Sequence, residues 1–138
     1  PFIPSQTITV NELAVEVSTL TAGSAHLGIY ANNAGSPGAK IIGSTTAVDT
    51  GTTGVKTVTI ANTTLDAGTV YWLVVWSSAA CTFRAVAQGA LAVIGLTSTL
   101  NAQYTSRLAT STFGALPANA PATTLTAGAV PWFRMKIA

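Results

Sequence analysis

The fold of this chain is decided by one stretch, GIYANNAGSPGA, at residues 28–39. An apolar segment runs directly into a turn made of Asn, Gly and Pro, and a second short strand follows at 40–43. Asn and Gly tolerate the positive φ values that a tight reversal needs, and Pro37 fixes one further φ angle. The stretch therefore predicts an antiparallel β-hairpin whose turn lies at the surface.

The segments around this hairpin alternate between apolar and polar residues, which is typical of half-buried strands. Strands are predicted at 7–10, 13–19, 25–31, 40–44, 55–61, 69–77, 81–88 and 130–137, with a turn at 62–68. The segment 69–77 is apolar on both faces, which predicts a central strand covered on both sides by the sandwich or by a neighbouring subunit. Roughly eight short strands separated by turn signals predict an all-β fold, an antiparallel β-sandwich of the jelly-roll type.

The chain has the length of one domain, and we expect a single β-sandwich domain over residues 1–138. A stretch rich in Thr, Ala and Pro, at about 95–128, predicts a long loop region within that domain. Loops of this length are usually functional or disordered, and recognition residues tend to collect in them.

Charge is scarce in this sequence: 7% of the residues are charged, against about 25% in an average globular protein. Low charge means little repulsion between copies, so packed oligomer interfaces are expected. The net charge is +2, and the six cations are scattered singly along the chain, which argues against a nucleic-acid partner. No apolar run approaches the roughly 20 residues of a membrane helix, and no membrane insertion is expected.

The residues that could carry catalysis are few. Glu12 and Glu16 share a strand face, but at the rise of an extended strand they lie roughly 13 Å apart, too far for a glycosidase pair. The only histidine, His26, has no nearby nucleophile motif and is expected at the surface or an interface. One His and one Cys cannot complete a zinc site. We therefore expect no catalytic residues, no metal and no cofactor.

Aromatic side chains provide the best candidates for ligand binding, because a flat ring can stack against a sugar. Tyr71 and Trp72 lie in the most apolar strand and are expected in the core. The candidate ligand-binding residues lie at strand ends or in the long loop: Trp76, Tyr104, Arg107, Phe113 and Trp132.

Four parts of the chain together resemble one known module. These parts are LGIYANN with GSPGA at 27–39, PFIP with LAVEV at 1–17, AGTVYWL at 67–73, and GALP at 114–117. The pattern resembles a module that recurs in structural proteins of tailed bacteriophages. The resemblance implies a jelly-roll module on the virion surface, in tail fibres, tail tips, head fibres or capsid decorations, that commonly forms trimers and has no catalytic residues.

These observations predict a non-enzymatic bacteriophage virion protein. The expected protein forms a homo-oligomer, with a trimer favoured, contacts other virion proteins, and presents loops to a glycan of the host cell surface. Two alternatives remain open from the sequence. One is a capsid decoration or cement protein that stabilises the head. The other is a carbohydrate-binding module of a secreted bacterial protein, which would be a monomer with an exposed aromatic platform.

Overall fold

The computed structural model describes residues 1–87, 106–126 and 129–138. Every regular element in these three ranges is a β-strand, and every pairing between strands is antiparallel. The strands are β1 (Ile8–Thr19), β2 (Ser24–Asn33), β3 (Ser36–Gly43), β4 (Val48–Asp49), β5 (Gly54–Leu65), β6 (Tyr71–Ser77), β7 (Thr82–Phe83), β8 (Ala85–Val86), β9 (Ser106–Leu108), β10 (Thr124–Thr126), β11 (Val130–Pro131) and β12 (Arg134–Ile137). The all-β, antiparallel prediction is confirmed.

Two main sheets share the same plan. In the first sheet β1 is central, with β5 along one edge and the shorter β12 and β7 along the other. In the second sheet β2 is central, with β6 along one edge and β3 and β4 along the other. Two small pairs, β9 with β10 and β8 with β11, complete the described strands. This arrangement is that of an antiparallel β-sandwich; a jelly-roll strand order stays a prediction.

The core lies between the two main sheets. Side chains of alternate residues on β1 and β2 enter it, as the period of two predicts. The buried members of this core are Val10, Leu13, Val15, Ala25, Leu27, Ile29, Val48, Val58, Ile60, Leu65 and Tyr71. Because all of them are apolar except for the Tyr71 hydroxyl, the hydrophobic effect provides the main stabilisation of this interface.

The predicted hairpin is present, but the positive φ values of its turn are at Ala34 and Gly35 and not at an Asn. Ala34 has φ 47° and Gly35 has φ 80°, and Asn33 pairs with Ser36 across them. Two consecutive positive φ values make a two-residue turn of type I′, whose twist matches that of the flanking strands. Pro37 lies within β3, an edge strand, where the missing N–H of proline is tolerated.

Several predicted boundaries were wrong in detail. The predicted strands at 7–10 and 13–19 are one strand, because a register shift between Val10 and Glu12 lets both halves face the core. The predicted turn at 62–68 begins later, since β5 continues to Leu65 in register with β1. The segments 81–87 and 130–137 each divide into two short strands that pair with different partners. With the further strands β4, β9 and β10, which were not predicted, the described residues contain twelve strands rather than about eight.

Both faces of β6 are buried or half-buried, but the strand is not central in its sheet, contrary to the prediction. It pairs with β2 on one edge over seven residues. At its other edge the described residues provide Phe2, whose backbone exchanges two hydrogen bonds with Tyr71, at 2.7 and 2.8 Å. The inner face of β6 joins the core, and its outer face is covered by a later segment of the same chain.

Candidate functional site

The candidate site lies on the outer face of the second sheet. His26 and Tyr30 of β2 point away from the core there, and the register places them beside Trp76 and Trp72 of β6. Gly28 lies between them and pairs with Val74. An aromatic surface of this kind is costly to leave in water, and the chain covers most of it with residues 109–121, here called the strap.

Two apolar side chains dock the strap on this face. The ring of Phe113 stacks on His26 with 5.6 Å between ring centroids and 28° between planes. Leu116 is buried against Tyr30 and Trp72. His26, which was expected at the surface or an interface, is buried, and its Nδ1 lies 3.0 Å from the hydroxyl of Ser44.

Leu116 is seated in a notch made by two glycines. Gly28 and Gly43 pair with each other across β2 and β3. A Cβ atom built on Gly28 would lie 2.5 Å from Leu116 Cδ1, and one built on Gly43 would lie 2.9 Å from the same atom. Both distances are shorter than van der Waals contact, so this pair of positions has room for Leu116 only because neither residue has a side chain.

Hydrogen bonds join the strap both to the outer face of the second sheet and to the strand β3 at its edge. The Tyr30 hydroxyl donates to the carbonyl of Pro117 at 2.7 Å. The Lys40 backbone N–H donates to Ala118 O, and Ala120 N–H donates to Gly38 O, both at 2.8 Å. The strap thus adds a short backbone pairing to β3, and this described part of the predicted loop region at 95–128 is docked on the sheet.

The strand β9 brings Arg107 to the same face. Its Nε donates to Gly35 O at 2.8 Å, and its Cζ lies 5.9 Å from the centroid of the Trp72 ring, within the range of a cation–π contact. The Trp72 indole N–H in turn donates to Asn32 Oδ1 at 3.0 Å. The hairpin tip, β6 and β9 therefore fix the position of the guanidinium together.

A pocket of 340 Å³ lies between the outer face of the sheet and the strap. Its walls include an aromatic pair from the sheet, the start of the strap and the end of it, with Tyr30, Trp76, Arg107, Leu108, Pro121 and Thr123 among the lining residues. We call this cavity the first pocket. It brings together Trp76 and Arg107, two of the five residues that the sequence analysis selected.

A second pocket, of 560 Å³, lies along the edge of β6. Trp72, Leu73 and Val75 line it from the sheet, and Trp132 lines it from the segment before β12. Arg107 also lines this second pocket, so β9 adjoins both cavities. Aromatic side chains line both pockets, and Arg107 belongs to both linings.

The remaining selected residues are placed differently. Trp132 is 50% exposed, and Arg134 Cζ lies 5.1 Å from its ring centroid. Phe113 contacts His26 and lines neither pocket. Tyr104 lies outside the described residues. As expected, Tyr71 and Trp72 are buried. Sequence reasoning missed Tyr30, although the alternation along β2 sets it on the opposite face from Leu27 and Ile29.

The electrostatics of the site are dominated by one cation. In the described lining of the first pocket, Arg107 is the charged group, and no carboxylate or imidazole accompanies it. Burial raises the pKa of the Tyr30 phenol above its ordinary value, so the hydroxyl stays protonated and keeps its bond to Pro117. The described residues contain no cluster of three or more metal-ligating acidic, His or Cys side chains.

Two further findings bear on function. This chain matches no protein-family model, no curated protein and no solved structure. A search of the described residues for a helix with the length and apolarity to cross a membrane finds none. The site is therefore interpreted from the chemistry of the residues that form it.

Proposed function

We propose that this chain is a non-enzymatic structural protein of a bacteriophage virion, an oligomeric surface module that attaches to a glycan of the host surface. The resemblance of its sequence to tailed-phage modules supports the virion setting. The observation that carries the attachment role is the first pocket, where Trp76 and Arg107 meet.

The first pocket has the chemistry that a sugar requires. A sugar ring presents C–H groups on its faces and hydroxyls at its rim, so it needs an apolar aromatic wall and several hydrogen-bonding groups. Trp76 and Val74 provide the apolar wall, and three residues with hydroxyl groups line the same cavity: Thr110, Ser111 and Thr123. Its volume of 340 Å³ is near the lower end of the about 300–1,000 Å³ found for small-molecule sites.

Binding without chemical conversion is the proposed activity of this pocket. General acid–base catalysis needs a titratable group such as a carboxylate or imidazole within hydrogen-bond reach of the substrate. The described lining of the first pocket offers hydroxyls, apolar groups and one guanidinium instead. These groups can orient and hold a sugar.

The test is a glycan array of bacterial surface polysaccharides probed with the purified chain, followed by calorimetric titration of the best ligand. Trp76→Leu removes the aromatic wall but keeps an apolar side chain, so we expect loss of binding by a chain that circular dichroism shows to be folded. Trp132→Leu, in the second pocket, is the matched control and should keep most of the affinity. A wild-type chain that binds no glycan would contradict the attachment role and favour a capsid decoration protein.

A further inference from the structure

We infer that the glycan recognised at the first pocket is acidic, and that Arg107 binds a singly charged oxyanion on it, foremost the carboxylate of a uronic acid. This inference rests on the proposed function and names the chemical class of its ligand. It is carried by the charge distribution of the described residues and by the geometry of Arg107.

None of the four acidic side chains of the chain lines the first pocket. Glu16 binds Arg84 and Arg134, at 2.8 and 3.3 Å. Asp49 lies 3.9 Å from Lys56. Within the described ranges, no ion pair involves Arg107. Its charge is therefore left for a partner outside the chain.

The position of Arg107 suits an incoming anion. The side chain is partly buried, beside the Trp72 ring, where water screens a charge less than at an open surface. Its bonds to Gly35 O and Thr123 Oγ1, at 2.8 and 3.4 Å, hold the guanidinium in place before a ligand arrives. A fixed guanidinium loses little freedom on binding, and its planar fork matches a carboxylate.

The single cation sets the charge expected on the ligand. One guanidinium balances one negative charge, and the described lining of the first pocket supplies no second cation for a doubly charged group. The absence of a carboxylate from that lining also removes the repulsion that an acidic sugar would otherwise meet. A neutral sugar would bury the guanidinium beside the ligand without a counter-charge, which is unfavourable.

The experiment compares oligogalacturonate with its methyl ester by calorimetric titration of the full chain. The two probes have the same rings and linkages and differ in charge. We expect the acid to bind at least about 10-fold more tightly, as a charge-assisted hydrogen bond implies, and the difference to shrink as NaCl is raised. A sulfated galactan, run in parallel, distinguishes a sulfate from a carboxylate as the source of the charge.

Substitutions at two arginines show which side chain causes the preference for the acid. Arg107→Gln should remove the preference for the acid, and Arg107→Lys should retain part of it, since the charge remains and the fork is lost. Arg84→Gln is the matched control, because this arginine binds Glu16 and lines neither pocket. Its preference should equal that of the wild type. Thermal unfolding of each variant shows whether the chain stays folded.

The outcomes separate the two proposals. Equal affinity for the acid and the ester, or preference for the acid that persists in folded Arg107→Gln, overturns the inference and leaves glycan attachment standing. Binding of neutral oligosaccharides alone, if Trp76→Leu abolishes it, likewise overturns the inference and leaves glycan attachment standing. A chain that binds neither charged nor neutral glycans overturns the proposed function together with the inference.

Discussion

At the scale of single residues, Gly28 has the least room for a side chain among the glycines in the described part of the chain. A Cβ atom there would lie 2.5 Å from Leu116 Cδ1 and 2.9 Å from the carbonyl oxygen of Ile42. The Leu116 methyl can turn aside, but the backbone oxygen belongs to the paired strand and cannot. We expect Gly28→Ala to lower the free energy of unfolding by about 1–3 kcal/mol, the usual cost of overpacking, as measured by urea denaturation.

Gly114→Ala is the control for this substitution. Gly114 lies in the same strap, and a Cβ atom built on it meets no atom within 4 Å. Its effect should stay within about 0.5 kcal/mol, as for most surface substitutions. If Gly28→Ala proves as stable as Gly114→Ala, the close seat of Leu116 on the sheet is wrong.

Titration of Tyr30 should make the stability of the folded chain depend on pH in the alkaline range. Burial raises the pKa of its phenol above the value of 10.0 that it has when exposed. The folded state therefore favours the protonated phenol, and this part of the stability is fully present below pH 10 and lost as the pH rises through the folded pKa. The deprotonated oxygen would also lose its donor bond to Pro117 O.

Tyr30→Phe should remove that dependence. We expect the variant to lose about 0.5–1.5 kcal/mol at neutral pH, the usual net worth of a hydrogen bond. Above pH 10 its stability should fall less steeply than that of the wild type, because one of the titrating groups is gone. Chemical denaturation at a series of pH values measures both slopes, and identical slopes would show that Tyr30 does not titrate with folding.

At the scale of elements, the parts of the fold that local patterns specify were predictable. The alternation of β1 and β2 and the tight hairpin between β2 and β3 depend on neighbouring residues, and the structure confirms both, with Ala34 and Gly35 as the turn residues. The position of β6 at a sheet edge was not predictable, because a strand that is apolar on both faces has the same sequence pattern whether a second sheet or a strap of the same chain covers it.

The strap and the first pocket could not be predicted, since they depend on contacts between distant residues. Leu116 meets a notch formed by Gly28 and Gly43, and Arg107 reaches Gly35 at the hairpin tip. Neither contact gives a periodic pattern in the sequence around Arg107 or Leu116. The sequence selected Trp76 and Arg107 separately, as an aromatic at a strand end and a cation in a long loop, and gave no sign that they share a cavity.

Leu116→Ala tests whether the strap opens as a unit. Its removal takes away the apolar anchor, and large-to-small changes of this kind cost about 2–5 kcal/mol. We expect faster hydrogen exchange at the amides of Lys40 and Ala120, whose partners are Ala118 O and Gly38 O. The amides that join β1 and β5 should change less, because those strands belong to the other main sheet.

An exposed leucine serves as the matched control for that experiment. Leu20 is 53% exposed, so Leu20→Ala should leave exchange at both strap amides unchanged. If exchange in Leu116→Ala accelerates uniformly across both sheets, the strap and the sandwich unfold together, and the strap is not an independent element. This outcome would also predict that deletions within 109–122 prevent folding.

At the scale of the whole molecule, we propose that copies of this chain associate with one another. The described residues expose several large apolar side chains: Ile3, Leu20, Ile41, Val55, Leu108, Trp132 and Ile137. The chain has only six basic and four acidic residues to set against them. Apolar surface drives association, and few charges oppose it, so a stable oligomer is the expected state of the purified protein.

Light scattering coupled to size exclusion tests this expectation directly. We expect a mass three times that of the 13.9 kDa chain, since the sequence resembles modules that commonly form trimers. The mass should change little with NaCl, because apolar burial rather than charge pairing would hold the assembly together. A monomer over the whole range of micromolar concentrations would contradict the trimer. It would favour a carbohydrate-binding module that acts alone, or a decoration protein that assembles only on a capsid lattice, and glycan binding by the same monomer would decide between these two.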